Sequence, residues 1–434
     1  MDSPQNLLAD LQAADPAALE RLYRQAHGAG RAAEFRAALQ AAYAAAPDNV
    51  LYAAWHYRLQ DDAPDRAREQ RAVPWAVAVV ISLITGLSLW LLSGDEFTFG
   101  PNGLPYLFLL AAPLIGLAVM LYLRAAARTG YGQALAFGLG LAALTAYAFW
   151  LALDRPSYRD LMAPHLFLLA WVAVGLSLVG VRPAAREVFA FLIKSIEAVV
   201  TGGVYLIASL IFATIALAMF RVLSFDIPDS LNRLLYVGTA GLVPVLAIAS
   251  IYDPHLPPAQ QDFQRGVGRL IITFPRILLG LSLVVLVAYV ISIPFNFMAP
   301  FTNRDVLITY NGMLFAIMGL LVGATPVAAP GLAPRSERAL RLGIQAVAGL
   351  VILISLYALA AVLYRTFNDV LTINRLTVIG WNLINLGLLI WLLIRQRQAA
   401  PQAWIEALHG VFALGGRLYL GWALFITLAT PWLF

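Results

Sequence analysis

Long stretches without a charged residue recur from Pro74 to the end of the chain, and they constrain the fold more than any other feature of the sequence. Many of them are about 20 residues long, which is the length an α-helix needs to cross the ~30 Å hydrocarbon core of a membrane. Only 12% of the residues are charged, whereas a soluble domain has about 25%. The sequence therefore predicts an all-α, polytopic helical membrane protein.

The charge-free stretches divide into eleven predicted transmembrane helices. They cover residues 73–92, 103–123, 132–153, 163–181, 202–220, 233–252, 275–293, 306–328, 342–363, 376–394 and 411–433. Most of the lysines and arginines lie before the first span or in the loops after the even-numbered spans, so the positive-inside rule predicts a cytoplasmic N-terminus. An odd number of spans then places Phe434 outside, unless the last segment lies along the membrane interface. The chain begins without a signal-peptide pattern, and the basic balance of +5 reflects loop arginines, with no nucleic-acid partner expected.

Residues 1–71 differ in composition from the rest of the chain and predict a small cytoplasmic helical module. Asp15 and Pro16 form an N-cap and first-turn pattern, and apolar residues then recur at helical spacing. A second helix runs from about Ala32 to the Pro47-Asp48-Asn49 turn, and a third begins near Val50. The run Phe35–Asn49 resembles the second helix and closing turn of a tetratricopeptide repeat. That resemblance implies a surface for a peptide or protein partner, and the alternative is a helical cap on the membrane domain.

An internal period of 71 residues organises the second half of the chain. Asn232-Arg233, Asn303-Arg304 and Asn374-Arg375 recur at this spacing (303 − 232 = 71 and 374 − 303 = 71), each before a long apolar run. We therefore interpret residues 72–181 as a four-helix membrane block and residues 182–434 as three and a half parallel hairpin repeats. Each repeat is predicted to contain an amphipathic run, an outward helix, an external loop and an inward helix. Parallel repeats occur in transporters, and this pattern is compatible with transport.

Two segments carry a resemblance to a known family. Residues 268–289, GRLIITFPRILLGLSLVVLVAY, and the element Leu371-Thr-Ile-Asn-Arg375 with the apolar helix after it resemble bacterial polytopic membrane proteins catalogued as domain of unknown function number 4153. The resemblance covers about the last 250 residues. It implies the bacterial cytoplasmic (inner) membrane as the location, and it implies no reaction or substrate.

Arginines and asparagines near the predicted external helix ends are the candidate binding residues. Helix N-termini present free N–H groups and a positive dipole end, so arginines there are suited to phosphate or carboxylate groups if the ends lie close together. The alternatives are arginines that extend to the interface and asparagines that cap helices. Deeper asparagines either hydrogen-bond between helices or line a substrate path. The candidates are Arg233, Arg304, Arg375, Asn303, Asn311, Asn374, Asn382 and Asn385.

Three pairs of ionisable residues in the sequence have spacings or positions that suit other chemistry. Lys194 and Glu197 are three residues apart and predict an ion pair near the cytoplasmic face. Glu406 and His409 have a spacing that can ligate a metal within a bundle, but the second such pair that a metal site needs is absent. Asp95-Glu96 lies in the first external loop, where membrane glycosyltransferases carry acidic residues. It is the one sequence feature that supports an enzyme of this kind. The chain contains no cysteine, no Gly-rich phosphate loop and no zinc-protease motif, so we predict no catalytic residue, metal or cofactor.

Two functions from different classes follow from these patterns. In the first, the protein transports or handles lipids or anions, using its external arginine and asparagine sites. In the second, it is a membrane-anchored scaffold or sensor that recruits a cytoplasmic partner through residues 1–71. The few Asp, Glu and His residues in the predicted spans disfavour proton-coupled transport. An enzyme of the glycosyltransferase kind is a third and weaker alternative.

Overall fold

The computed structural model describes residues 16–28, 32–69, 73–100, 103–222, 227–263, 267–328 and 333–434. Of the described residues, 84% are helical, and the protein belongs to the all-α class. In these ranges no residue lies in a β-strand, although Thr98 and Pro105 form an isolated antiparallel bridge in the loop after the first span. Contacts divide the chain into two compact units, with the boundary between Val73 and Pro74.

In its described residues, the N-terminal unit contains three helices, α1 (Pro16–Gly28), α2 (Ala32–Ala45) and α3 (Val50–Glu69). The turn before α3 is stabilised by Asn49, whose side-chain oxygen accepts a hydrogen bond from the backbone N–H of Leu51 at 3.0 Å. The three helices bury a common apolar core, and each contributes residues spaced three, four or seven apart, which share one helix face. This core consists of Leu19, Ala26, Phe35, Ala38, Leu39, Ala42, Tyr52, Trp55 and Leu59.

The membrane unit contains eleven helices in the described part of the chain that are long and apolar enough to span a bilayer. Each of them coincides with a segment predicted from the charge-free runs, and the protein is therefore a multi-pass membrane protein. The helices are α4 (Trp75–Leu92), α5 (Leu107–Ala127), α6 (Gly132–Ala152), α7 (Pro156–Val179), α8 (Ala185–Val222), α9 (Asp229–Ile251), α10 (Val267–Ser292), α11 (Arg304–Ala324), α12 (Pro334–Phe367), α13 (Ile373–Gln398) and α14 (Trp404–Leu433).

The predicted amphipathic runs are not separate elements. Residues 187–198 form the first turns of α8, and residues 336–347 lie within α12, so these two runs continue into the spans that follow them. In the third run, Asp262 and Phe263 still belong to the loop before α10. Long helices α8, α10 and α12 alternate with α9, α11 and α13, which is the helix order that the 71-residue period predicts. The likeness of the repeats in three dimensions stays a prediction.

Three larger apolar clusters hold the membrane unit together. One joins α8 to α10, α11, α12, α13 and α14, a second joins α5, α6 and α7 to α13 and α14, and a third joins α4, α5 and α9. Large apolar side chains on the outer faces of α8 and α10, such as Phe212 and Val284, are exposed. Exposed apolar faces of this kind suit helices that contact lipid.

Helices α4 and α9 approach each other through glycines. A Cβ atom added to Gly241 would lie 2.7 Å from Cα of Gly86, so any larger residue at position 241 would push the two backbones apart. Small residues at helix crossings allow this close backbone approach in membranes. The first part of α9 also contains a π-helical turn, Leu234–Gly238, directly after Arg233. Turns of this type are often found at functional sites.

Candidate functional site: a cavity among five transmembrane helices

A cavity of about 430 Å³ lies within the membrane unit. Helices α7, α8, α11, α13 and α14 supply its walls, which are mainly apolar and aromatic. Its wall residues on α7 begin eight residues after the start of that helix, which corresponds to a depth of about 12 Å at a rise of ~1.5 Å per residue. On α7, the cavity therefore lies about halfway along the helix. The lining residues are Pro164, His165, Leu168, Trp171, Leu192, Phe315, Met318, Gly319, Val322, Trp381, Leu388, Phe412, Gly415, Gly416 and Tyr419.

Aromatic rings from four helices meet at the cavity around Trp381. The ring centre of Trp381 lies 5.2 Å from that of Tyr419 on α14 and 5.5 Å from that of Phe315 on α11. The imidazole of His165 on α7 lies 6.0 Å from the same indole. Tilted and edge-to-face aromatic pairs at these separations attract each other beyond their simple burial. The cluster therefore gives the cavity a wall made of large rings.

His165 brings a polar group to this apolar wall. Its side chain is only 3% exposed, and Nδ1 lies 2.8 Å from the carbonyl oxygen of Leu161 in the preceding turn of α7. The other ring nitrogen, Nε2, is buried and has no hydrogen-bond partner in the described part of the chain. Buried polar atoms without a partner are uncommon, because the lost hydrogen bonds to water are not replaced. His165 is not among the binding residues predicted from the sequence, although a histidine within an otherwise apolar predicted span is a signal for function.

Two other polar groups on the cavity wall are already used within the protein. The indole N–H of Trp171 donates to Oγ of Ser195 on α8 at 2.8 Å. The hydroxyl of Tyr419 donates to Oδ1 of Asn385 on α13. These bonds link α7 to α8 and α13 to α14, so they position the wall rather than leaving donors for a ligand.

The three deep asparagines differ in their surroundings. Asn382 and Asn385 are 2% and 1% exposed, and the Nδ2 atom of each has no hydrogen-bond partner among the described residues. Asn311 is only partly buried, and its Nδ2 donates to the carbonyl of Leu307 on its own helix at 2.9 Å. Of the three, Asn385 is the one that reaches the cavity region, through Tyr419.

The arginines of the 71-residue period are held by different neighbours. Arg233 donates to the carbonyl of Ser93 at 3.1 Å and lies 3.4 Å from the carboxylate of Asp95. This brings the Asp95 loop to α9. Arg233 also lies at the fifth residue of its helix, because α9 begins at Asp229 rather than at the Asn-Arg pair.

Arg375 has a separate set of partners near the start of α13. It lies 2.8 Å from the carboxylate of Asp369 and donates to the carbonyl of Val370 at 2.6 Å. Asn374 beside it is exposed, and the helix is capped by Thr372, which accepts from the N–H of Arg375 at 3.3 Å. Among the described contacts, Arg375 and Arg233 share no hydrogen-bond or ion-pair partner.

The third member of the series, Arg304, begins α11. Its side chain lies outside the described residues. Asn303 precedes it in an extended conformation, with φ −106° and ψ 123°, and its side chain is exposed. Extended geometry of this kind is typical of the residue that precedes a helix.

Lys194 and Glu197 form an ion pair on α8, with Nζ 2.7 Å from Oε2. Both residues are 4% exposed, so the pair is enclosed by protein rather than placed at an open interface. Nζ also donates to the carbonyls of Asp262, at 2.6 Å, and Ile251, at 3.3 Å. The lysine thus joins α8 to the end of α9 and to the loop before α10.

The other ionisable pairs from the sequence analysis do not form a metal site. Among the described residues, no group of three or more His, Asp or Glu side chains could hold a metal ion. His409 instead bonds the carbonyl of Pro326 through Nε2 at 2.8 Å and stacks on Phe189 with ring centres 4.2 Å apart.

Comparisons with known proteins give no relative for this chain. No protein-family model, no curated protein and no solved structure matches it. The geometry of the membrane unit is therefore the basis for assigning a function.

Proposed function

We propose that this protein handles a lipid within the membrane and that the cavity among α7, α8, α11, α13 and α14 binds the lipid. The observation that carries this proposal is the composition of the wall: apolar and aromatic side chains surround the cavity, and His165 adds a polar group to it. Sites for small molecules are typically clefts of ~300–1,000 Å³ with mainly apolar walls and a few placed polar groups. The cavity of about 430 Å³ falls within this range.

The charges around the cavity favour a lipid chain over an ion or a charged solute. None of its lining residues is Asp, Glu, Lys or Arg. Moving an unpaired charge into such surroundings is costly, whereas a hydrocarbon chain gains free energy from the same wall. The external arginines offer less to an anion, since a ligand would have to displace Asp95 from Arg233 or Asp369 from Arg375.

The proposal also includes where the protein lies in the cell and how its helices are organised for lipid handling. We infer that the protein resides in a bacterial cytoplasmic membrane with its N-terminus inside, because the arginine-rich loops lie on that side of the predicted topology. The alternation of long helices with the helices that follow them supports a bundle built from parallel repeats. Some transporters are built in this way, and we propose that such a bundle handles the lipid here.

Two glycines that line the cavity can be replaced by larger residues without a clash at the added Cβ atom. A Cβ atom added to Gly319 or Gly416, both of which line the cavity, meets no other atom within 4 Å. Gly387, on α13, has the same free space but does not line the cavity. Gly416→Leu and Gly319→Leu therefore place a side chain in the binding region, and Gly387→Leu is the matched control.

Mass spectrometry of the protein extracted in native lipid discs tests the proposal. A lipid enriched with the wild type and with Gly387→Leu, but depleted with Gly416→Leu and Gly319→Leu, is the expected result. If the lipids that copurify are the same for all four proteins and match the bulk membrane, the cavity is not a lipid site.

A second candidate function rests on the N-terminal unit. Its three helices share a core of their own, which a simple cap would not require. We propose as the alternative that this unit recruits a cytoplasmic protein to the membrane unit. Deletion of residues 1–71 should then remove a specific copurifying protein while the lipids in the disc stay unchanged, and retention of that protein would reject the scaffold function.

A further inference from the structure

The hydrogen bond of His165 to its own helix decides which hydrogen-bonding role remains for a ligand. A carbonyl oxygen can only accept, so the Nδ1 atom that lies 2.8 Å from the Leu161 carbonyl carries the hydrogen and donates it. In the neutral ring, Nε2 then has no hydrogen and is an acceptor. This acceptor is buried and unpartnered in the described part of the chain.

Trp381 supplies the complementary donor beside it. The side chain lines the cavity, and within the described part of the chain its indole N–H has no hydrogen-bond partner. An indole nitrogen can only donate. The two ring centres are 6.0 Å apart, so the acceptor and the donor belong to neighbouring side chains of the same cavity wall.

We propose that the lipid bound in this cavity is neutral and carries a free hydroxyl group, which donates to Nε2 of His165 and accepts from the N–H of Trp381. A hydroxyl group is the simplest group that does both, since its oxygen has one hydrogen and two lone pairs. Nε2 itself is covered, so the hydroxyl group enters between the two rings and separates them slightly. This inference rests on the proposed function, because it names the class of lipid that the same cavity binds.

Other lipid headgroups satisfy these two atoms less well. An ether, ester or ketone oxygen accepts from Trp381 but leaves Nε2 of His165 without a donor. An ammonium group donates only and brings a charge into a wall without charged residues. A phosphate group carries negative charge and accepts only. Long-chain alcohols, diacylglycerols, polyisoprenols and quinols share the hydroxyl group that fits.

The experiment uses the full-length protein in phosphatidylcholine discs and a pair of photoreactive probes. One probe is a long-chain alcohol with a diazirine in its chain, and the other is its methyl ether, which keeps the acceptor oxygen and loses the donor. Labelled peptides are identified by mass spectrometry. Unlabelled diacylglycerol, polyisoprenol and quinol compete in separate arms to identify the source of the hydroxyl group.

Three variants accompany the wild type. His165→Leu removes the acceptor, whereas His165→Gln keeps an acceptor oxygen near the position of Nε2. The matched control is Thr427→Val, because Oγ1 of Thr427 is also buried without a partner among the described residues but does not line the cavity. Size-exclusion chromatography of each variant confirms folding before labelling.

The alcohol should label the cavity helices of the wild type about tenfold more than the ether, the effect of one buried hydrogen bond. This ratio should fall to about one with His165→Leu, stay above one with His165→Gln and stay unchanged with Thr427→Val. Equal labelling of the wild-type cavity by both probes would overturn the hydroxyl inference and leave the lipid site in place. Absence of both probes from the cavity peptides would instead overturn the proposed function itself.

Discussion

Removal of the Lys194 charge tests how the polar contacts at the start of α8 stabilise the membrane unit. The ammonium is 2.7 Å from the Glu197 carboxylate, and both side chains are 5% exposed. Lys194→Met leaves this carboxylate buried without a counter-charge, which typically costs about 3–5 kcal/mol. The carbonyls of Ile251 and Asp262 lose their donor in the same variant.

The double variant separates the charge from the hydrogen bonds. With Lys194→Met and Glu197→Leu together, no buried charge remains, and well-packed apolar replacements of buried ion pairs are often close to neutral. What remains is the loss of a donor to the two carbonyls, about 1–3 kcal/mol. The double variant should therefore be more stable than Lys194→Met alone by about 2 kcal/mol, the signature of direct coupling between the two residues.

Unfolding in mixed micelles with increasing SDS measures these differences. The ten tryptophans of the chain provide the fluorescence signal, and the free energies are extrapolated linearly. A cost below about 1 kcal/mol for Lys194→Met would refute the reasoning. The reasoning would also be refuted if the stability lost by the double variant equalled the sum of the losses of Lys194→Met alone and Glu197→Leu alone, since independent residues give additive effects.

Two further perturbations test the frame of the membrane unit. Gly241→Leu should lower the free energy of unfolding by about 1–3 kcal/mol through overpacking against α4, whereas Gly349→Leu, whose added Cβ meets no atom within 4 Å, should be close to neutral in the same assay. The backbone N–H of Val370 and then Arg375 lower the pKa of Asp369 below its ordinary 3.8, so its stabilising contribution is present above that pH and is lost as the pH falls through the lowered pKa. The melting temperatures of wild type and Asp369→Asn should therefore differ at neutral pH and converge below pH 3.8, and a difference that does not change with pH would contradict this contribution.

The sequence predicted the spans because each of them is specified locally. A helix in a membrane satisfies its own backbone hydrogen bonds, so a charge-free run of sufficient length determines the element without reference to its neighbours. The Lys194–Glu197 pair was predictable for the same reason, since residues three apart share one face of a helix. Its contacts with Ile251 and Asp262 were not, because they depend on how α9 and the following loop return to α8.

The cavity was not predictable from local patterns. Its walls come from five helices. His165 and Tyr419 both line it, although they are 254 residues apart along the chain (419 − 165). The partner of Arg233 shows the same difficulty: Asp95 is 138 residues away, and no spacing in the sequence connects them. The arginine series was recognised by its period, but a period identifies equivalent positions and does not give their distances in space.

The polar contacts at one end of the bundle fix the position of the cavity walls. Helices gain little from the hydrophobic effect when they associate within lipid, so packing and hydrogen bonds decide their arrangement. Leu192 of α8 lines the cavity, and two residues later Lys194 ties the same helix to α9. Phe189 of α8 stacks on His409 of α14, which in turn bonds the Pro326 carbonyl after α11. Three of the five wall helices are thus held at one end by residues that do not line the cavity, and the shape of the proposed lipid site depends on them.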